Sequence, residues 1–460
     1  MLKVKPSPIS GFPEWLPAQK LLEAGFVRKI TRIFESFGYA PIETAAVERD
    51  GVLASKGEIN KQIYSIFRPN VDTAAERETG LSLHFDLTVP LARYVAQNHH
   101  SLSFPFKRYQ IQKVWRGERS QKGRFREFYQ CDIDIIGDSN LDLYADAEVA
   151  GIIYLVFQEL QFGDFVIHLS NRKLLRGIME VFDISGEGET LEFLQILDKV
   201  ERSASGIEAI KKLIAERIGK SEKLQSLLDF LLAPDSSNRE KLSLLKEAEF
   251  ESDVYRQGVH EINQVYNRLS DMGCADNRIN IDVSIVRGLD YYTGTVFETF
   301  LTGHEKKLGS ICSGGRFDDL ASNFIDRKLP GVGVSIGLTR LLSYIFDKKI
   351  ITQGKSTPSH VMIAMMDHKN IPRYIQWMQQ LRKDGINVEI YIQNAKLAKQ
   401  LKYADKKGIE YVIIFGEDEE EMELLKLKNM AMKQEQTFPL ATAISAISDK
   451  IKEGITIERD

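Results

Sequence analysis

The chain has little cysteine. Three occur in 460 residues, Cys131, Cys274 and Cys312. They lie far apart, so neither a disulfide framework nor a zinc spacing is readable. A reducing cytoplasm is the expected setting. There is no surplus of charge of one sign either. Lysine and arginine number 61 against 65 acids, a net charge of −4. Any surface for nucleic acid must then be a local patch. No apolar run approaches membrane length, and the first residues, MLKVKPSPISGF, lack the apolar core of a secretory signal. No dense carboxylate cage for a metal is visible. What remains is a chain with 43% hydrophobic and 27% charged residues. That is the composition of a soluble globular protein with two or three domains.

Three segments carry chemistry. Residues 287–294 read RGLDYYTG, with one arginine, one acid and two adjacent tyrosines. A guanidinium meets phosphate or carboxylate in a two-pronged way. Tyrosines offer flat walls with hydroxyls for a small polar ring. By itself the segment also reads as a turn before a core strand, with Arg287 paired to Asp290. Residues 107–137 read as two strands joined by a basic loop, KRYQIQKVWRGERSQKGRFREFYQCDIDIIG. Arginines 116, 119, 124 and 126 and Lys122 are interleaved with Phe125, Phe128 and Tyr129. Aromatic and basic groups together suit a phosphate-bearing ligand with a flat base; a solvated charged face is the plain alternative. Residues 329–342, LPGVGVSIGLTRLL, read as a buried strand turning into a helix with Arg340 at the junction. That glycine pattern is too weak to argue nucleotide binding.

In this order the three segments resemble the histidyl-tRNA synthetases, a class II aminoacyl-tRNA synthetase family. RGERSQKGRFREFYQ is similar to that family's motif 2, and Gly331–Arg340 to motif 3. Residues 287–292 match its first histidine signature, and SICSGGRFDDL at 310–320 is similar to the second. HFDLTVP at 84–90 resembles its amino-acid-binding strand. The resemblance covers nearly the whole chain. It implies an α+β class II catalytic core, an antiparallel sheet flanked by helices. A helical insertion and a C-terminal α/β anticodon-binding domain accompany that core.

The expected division is a first part of the core at 1–174, holding motifs 1 and 2, and a helical insertion at 175–265. The second part of the core follows at 266–351, with the histidine signatures and motif 3, then a linker at 352–359 and the anticodon domain at 360–460. An amphipathic helix is expected between Pro17 and Gly38, with Leu22, Phe26, Ile30, Ile33, Phe34 and Phe37 on its apolar side. A strand from about Ala40 to Val47 should follow; in the family this unit builds a dimer interface. Within the insertion, helices are expected at 192–199, 207–218 and 221–232. In the last domain, strands at 361–365, 388–391 and 411–415 alternate with helices at 371–383 and 395–407. This suggests a largely parallel sheet. The lysines of the second helix, Lys396, Lys399, Lys402, Lys406 and Lys407, are candidates for RNA phosphates. The acidic run 417–421 is expected on a loop turned away from RNA.

The resemblance assigns roles. Arg116 and Arg287 are the catalytic arginines, on the α-phosphate and between α-phosphate and histidine carboxylate. Glu118, Phe128 and Arg340 complete the ATP site: an acid near the adenine amino group, a stacking aromatic, and a γ-phosphate arginine. Asp86, Thr88 and Gln130 hold the α-amino group of L-histidine; Asp134, Tyr291 and Tyr292 hold the imidazole. Arg119, Gln121 and Lys122 face the acceptor end of tRNA(His). ATP is the second substrate, accompanied by Mg²⁺, and a homodimer is expected. The chain departs from the family pattern at His84 (usually arginine), Phe317 (usually tyrosine), Ala45 (usually proline) and Asp319 (usually glycine). Two other readings stand beside this one. The first is a synthetase-like regulatory subunit of ATP phosphoribosyltransferase. The second is a non-catalytic RNA-binding paralogue.

Overall fold

The computed structural model describes residues 5–54, 63–67, 80–121, 123–182, 184, 190, 236–248, 250–285, 292–319, 321–351 and 354–457. The expected insertion helices at 192–199, 207–218 and 221–232 lie outside the described residues. The chain forms two compact units: residues 1–14 with 26–351, and residues 15–25 with 352–460.

The first unit is built on an eight-stranded sheet. Its strands, with their order along the chain as labels, are β1 (Ala40–Pro41), β5 (Phe106–Trp115), β6 (Glu127–Ile136), β7 (Phe165–Asn171), β8 (Ile279–Ile281), β9 (Thr295–Leu301), β10 (Cys312–Phe317) and β11 (Gly331–Gly337). The order across the sheet is β1-β5-β6-β11-β10-β9-β7-β8. The two outer pairs, β1 with β5 and β7 with β8, are parallel and the rest antiparallel. A second sheet of three short strands joins β2 (Val47–Arg49), β3 (Tyr64–Ser65) and β4 (Leu81–Leu83) in the order β2-β4-β3.

Alternation along β6 sets which face does what. Cys131, Ile133 and Ile135 are buried on one face. That face is covered by the helix Tyr144–Leu160, whose Glu148 reaches Lys107 on β5 at 2.7 Å. The helix Pro17–Ser36 packs on the same face, with Phe34 5.9 Å from the Tyr109 ring. Arg316 of β10 also points there and pairs with buried Asp146 at 2.5 Å. Phe128, Gln130, Asp132 and Asp134 of β6 alternate onto the opposite face. At its far end that face is closed by the helix Thr88–Asn98. Leu91, Ala92 and Val95 form one apolar cluster there with Ile136 and Phe317.

One expectation is corrected here. The strand expected from Ala40 to Val47 is broken into β1 and β2, which belong to different sheets. Side-chain amides replace the ladder at the break: Gln110 Nε2 donates to Thr44 Oγ1 at 3.0 Å and Gln112 Nε2 to the Thr44 carbonyl at 3.1 Å. In the first helix Phe26, Ile30 and Phe34 are buried, while Leu22, Ile33 and Phe37 are only partly so. The helices Arg172–Val181 and Asp253–Asp271, at the ends of the expected insertion, pack closely on each other. A Cβ on Gly177 would lie 2.4 Å from Tyr255, and one on Gly258 2.5 Å from the Leu174 backbone.

The second unit carries its own sheet, in the order β13-β12-β14-β15-β16. Here β12 is Val361–Ile363, β13 Val388–Ile390, β14 Tyr411–Ile414, β15 Leu424–Asn429 and β16 Gln434–Pro439. The first three are parallel, as alternation with helices requires. The hairpin β15–β16 adds an antiparallel edge that the sequence did not signal. Gln434–Pro439 is polar and exposed, and an edge strand with no buried side reads as loop. The acidic run is the short helix Glu417–Glu421, not a loop. Glu419 is buried, accepts the Gly416 N–H and pairs with Lys426 at 2.5 Å. The helix Leu397–Lys407 ends at Gly408 with φ +73°, as expected. Four of its candidate lysines are exposed, but Lys407 is tied to Glu389 at 2.9 Å.

Candidate active site

The side chains of β6 on this second face lie in a row about 7 Å apart, two residues per step. The row begins at Phe128. Arg116 lies above that ring, its Cζ 5.2 Å from the centroid. Its Nε donates to the Phe85 carbonyl at 3.0 Å, and no carboxylate among the described residues pairs with it. Glu118 turns toward Arg124, 3.9 Å away, while its own carbonyl accepts from Arg126 Nε at 3.0 Å.

Arg340 closes this end of the row. It sits near the start of the helix Leu338–Lys348 and donates from Nε to the Gly123 carbonyl at 2.9 Å and from Nη1 to the Ser310 carbonyl at 2.8 Å. It therefore ties the loop after β5 to the approach of β10. Gly123 has φ +79°, the left-handed turn that lets Gln121 and Arg124 exchange backbone hydrogen bonds at 2.9 and 3.2 Å. Arg116, Glu118, Phe128, Gln130, Ser335 and Arg340 line one concave cavity with this loop. Arg119 and Gln121 are exposed on the loop. Lys122, Arg287 and Tyr291 lie outside the described residues.

Deeper along the row the chemistry changes from cationic to acidic. Gln130 is buried and donates to Ser335 Oγ at 2.5 Å. Asp134 is buried and paired with Arg108 at 2.6 Å, a guanidinium with no exposed surface. Asp86 and Thr88 enter from the start of the helix Thr88–Asn98, where Asp86 Oδ1 accepts the Val89 N–H at 3.1 Å. Burial first, then the charges of Asp134, Asp132 and Asp86, push the Tyr292 phenol far above its ordinary range. The structure thus gathers Asp86, Gln130, Asp134 and Tyr292 at one end and Arg116, Phe128 and Arg340 at the other.

Glycines make the floor. A Cβ on Gly333, the register partner of Asp134, would fall 2.0 Å from Asp134 Oδ1. One on Gly315 would fall 2.7 Å from the Tyr292 ring and 2.6 Å from the Thr295 carbonyl. A side chain at either position would push the acid or the tyrosine off the sheet. These glycines, with Arg108, Asp132 and Ser335, are site residues that sequence reading missed. A signal existed for Asp132: the spacing 128, 130, 132, 134 puts it on the same face as its neighbours.

The departures from the family pattern fall mostly outside the row. His84 is fully buried, its Nε2 2.7 Å from the Lys113 carbonyl and its ring 5.6 Å from Trp115. Burial holds its pKa below the usual imidazole value. It acts as a neutral strut between β4 and β5. Phe317 is part of the apolar cluster under the helix Thr88–Asn98, and Ala45 and Asp319 are exposed. The three cysteines are buried and none is in a disulfide. No helix among the described residues is long and apolar enough to cross a membrane.

The chain is similar to known proteins over nearly its whole length. Residues 11–341 match the family model for histidyl-tRNA synthetase, and residues 360–450 match the anticodon binding domain. A histidine–tRNA ligase from Clostridium tetani is 42% identical over 448 residues, covering 97% of this chain and 99% of the relative. The crystal structure of histidyl-tRNA synthetase from Nostoc sp. PCC 7120 superposes with a TM-score of 0.86 at 39% identity, over 98% of this chain and 100% of the other. A structure from Bacillus halodurans C, described as an ATP phosphoribosyltransferase regulatory subunit/histidyl-tRNA synthetase, has a TM-score of 0.68 over 87% of this chain and 97% of the other. At 20% identity it shows the fold alone.

Proposed function

The chain belongs to the histidyl-tRNA synthetase family, and from that premise we propose how its residues divide the work. It is an ATP-dependent histidine–tRNA ligase. It activates L-histidine as histidyl-adenylate, releasing pyrophosphate, and passes the histidyl group to the 3′ end of tRNA(His). One observation carries the division: a single strand face grades from an aromatic ring with arginines at Phe128 to buried acids at Asp134. Adenine and phosphates belong at the first end, the amino acid at the second.

Activation brings two anions together, the histidine carboxylate and the α-phosphate of ATP. Positioning and charge stabilisation do most of this work. Arg116 meets the α-phosphate, Phe128 stacks on adenine, Glu118 faces the adenine amino group, and Arg340 faces the γ-phosphate. Arg287 bridges the α-phosphate and the carboxylate. Asp86, Thr88 and Gln130 accept the α-ammonium. Asp134, Tyr291 and Tyr292 meet the imidazole, so an apolar isostere leaves buried polar groups unpaired. Mg²⁺ arrives with ATP as part of the substrate. Among the described residues no group of three or more His, Cys, Asp or Glu is arranged to hold a metal. The regulatory-subunit reading is not favoured, because the anticodon domain and near-full-length ligase relatives are both present.

The exposed loop carrying Arg119, Gln121 and Lys122 meets the acceptor end of tRNA. Gln121→Ala should therefore reduce histidine charging by about tenfold, the loss of one good hydrogen bond of about 1.4 kcal/mol. Histidine-dependent exchange of pyrophosphate into ATP should stay within twofold. Equal losses in both assays would move the loop to the ATP site.

We also propose a two-fold homodimer, working in the cytoplasm. The outer face of the three-stranded sheet supports it. Val47 and Leu81 are both exposed there, at 38% and 39%, and partly buried Leu83 is the register partner of Val47. A self-complementary interface would cover these side chains. Sedimentation at micromolar concentration should give the mass of two chains; a monomer contradicts the pairing.

A further inference from the structure

We propose that Asp132 is a direct contact of the amino-acid substrate, its Oδ1 accepting an N–H from bound histidine. The inference rests on the functional reading above and adds a residue to it. Asp132 lies on β6 between Gln130 and Asp134, on the same face, and is 3% exposed.

Hydrogen-bond accounting sets it apart from its neighbours. Asp134 is neutralised by Arg108 at 2.6 Å. Gln130 spends its donor side on Ser335 Oγ, which leaves Gln130 Oε1 without a partner. The Asp132 carboxyl hydrogen-bonds Ser335, but its Oδ1 is also buried without a partner. Among the described residues two buried acceptors on one face are thus without a partner, beside the Arg108 Nε donor, which makes no hydrogen bond either. Buried acceptors are nearly always satisfied, by protein, water or ligand.

Charge says which ligand supplies the donor. Asp132 is pushed up to about 7 by burial, and Arg108 is the cation that opposes this, while Asp134 and Asp86 reinforce it. Three acids against one buried arginine leave surplus negative charge. A carboxylate or phosphate is repelled from such a place. A group with N–H donors and positive charge is drawn in. ATP lacks such a group and sits at the Phe128 end. Histidine brings two N–H donors, the charged α-ammonium and the largely neutral imidazole.

Calorimetric titration of the full-length protein tests this. Asp132→Asn should weaken L-histidine binding at least tenfold and leave ATP binding within twofold. The unliganded melting temperature should hold or rise, because the amide removes a carboxyl whose ionised form burial disfavours. Titration with imidazolepropionate, which lacks the amino group, identifies the donor. A penalty that persists assigns the imidazole, and one that disappears assigns the ammonium. Unchanged histidine affinity in a folded variant overturns the inference. So does a fall in unliganded stability with unchanged affinity, which marks a structural acid. If Asp132→Asn does not fold, Asp132→Ser is read the same way. Failure of the wild-type protein to bind histidine would instead overturn the functional reading, and this inference with it.

Discussion

Replacing Arg116 by alanine should lower histidyl-adenylate formation by roughly two to three orders of magnitude, the loss typical of one preorganised oxyanion donor. The structure explains why this arginine is ready for a ligand. Its Nε is fixed by the Phe85 carbonyl at 3.0 Å, and Phe128 supports its plane. One neutral hydrogen bond orients the guanidinium without neutralising it. No described carboxylate competes for the charge. The α-phosphate gains negative charge as the carboxylate approaches, so the contact strengthens in the transition state. The loss should therefore appear mainly in kcat of pyrophosphate exchange, with a smaller change in the KM for ATP. A folded Arg116→Ala protein that keeps more than a tenth of wild-type exchange would remove Arg116 from the α-phosphate.

Arg287→Lys should lower adenylate formation by roughly two orders of magnitude. Arg287 lies outside the described residues, so the argument is chemical. Two anions do not approach bonding distance without a cation between them. A guanidinium can hold phosphate and carboxylate at once with its two prongs, whereas lysine is a point charge on a flexible stem. Keeping the charge while losing the fork separates geometry from electrostatics. Histidine and ATP affinities should change much less than the rate. Near-normal exchange in a folded Arg287→Lys protein would assign the bridging role elsewhere.

Much of the fold was legible because its signals are local. The hairpin of β5 and β6 follows from alternation on both sides of a basic, glycine-containing loop. The parallel half of the last domain follows from strands alternating with helices. What escaped was what only tertiary structure decides. The segment 42–46 looks like strand, yet at Thr44 glutamine amides from β5 take the place of backbone partners. The strand β16 contributes only partly buried Phe438 to the core, so no apolar pattern announces it. In the site, the residues carrying known motifs came together along β6, as at Arg116, Phe128, Gln130 and Asp134. The partners that set their chemistry did not show. Arg108 is one β5 arginine among several basic residues until the register places it opposite Asp134. Gly333 is an unremarkable glycine until the Asp134 carboxylate is seen to occupy the space of its missing side chain. Register between strands distant in sequence is long-range information, and one chain read alone does not contain it.

The most direct test of the account is amino-acid-dependent exchange of pyrophosphate into ATP by the purified full-length protein. Each amino acid is supplied in turn, with Mg²⁺ present. The account predicts exchange with histidine and background levels with every other amino acid, because only imidazole satisfies the buried acids and Tyr292. Background exchange with histidine, or equal exchange with an amino acid lacking the ring, would contradict it.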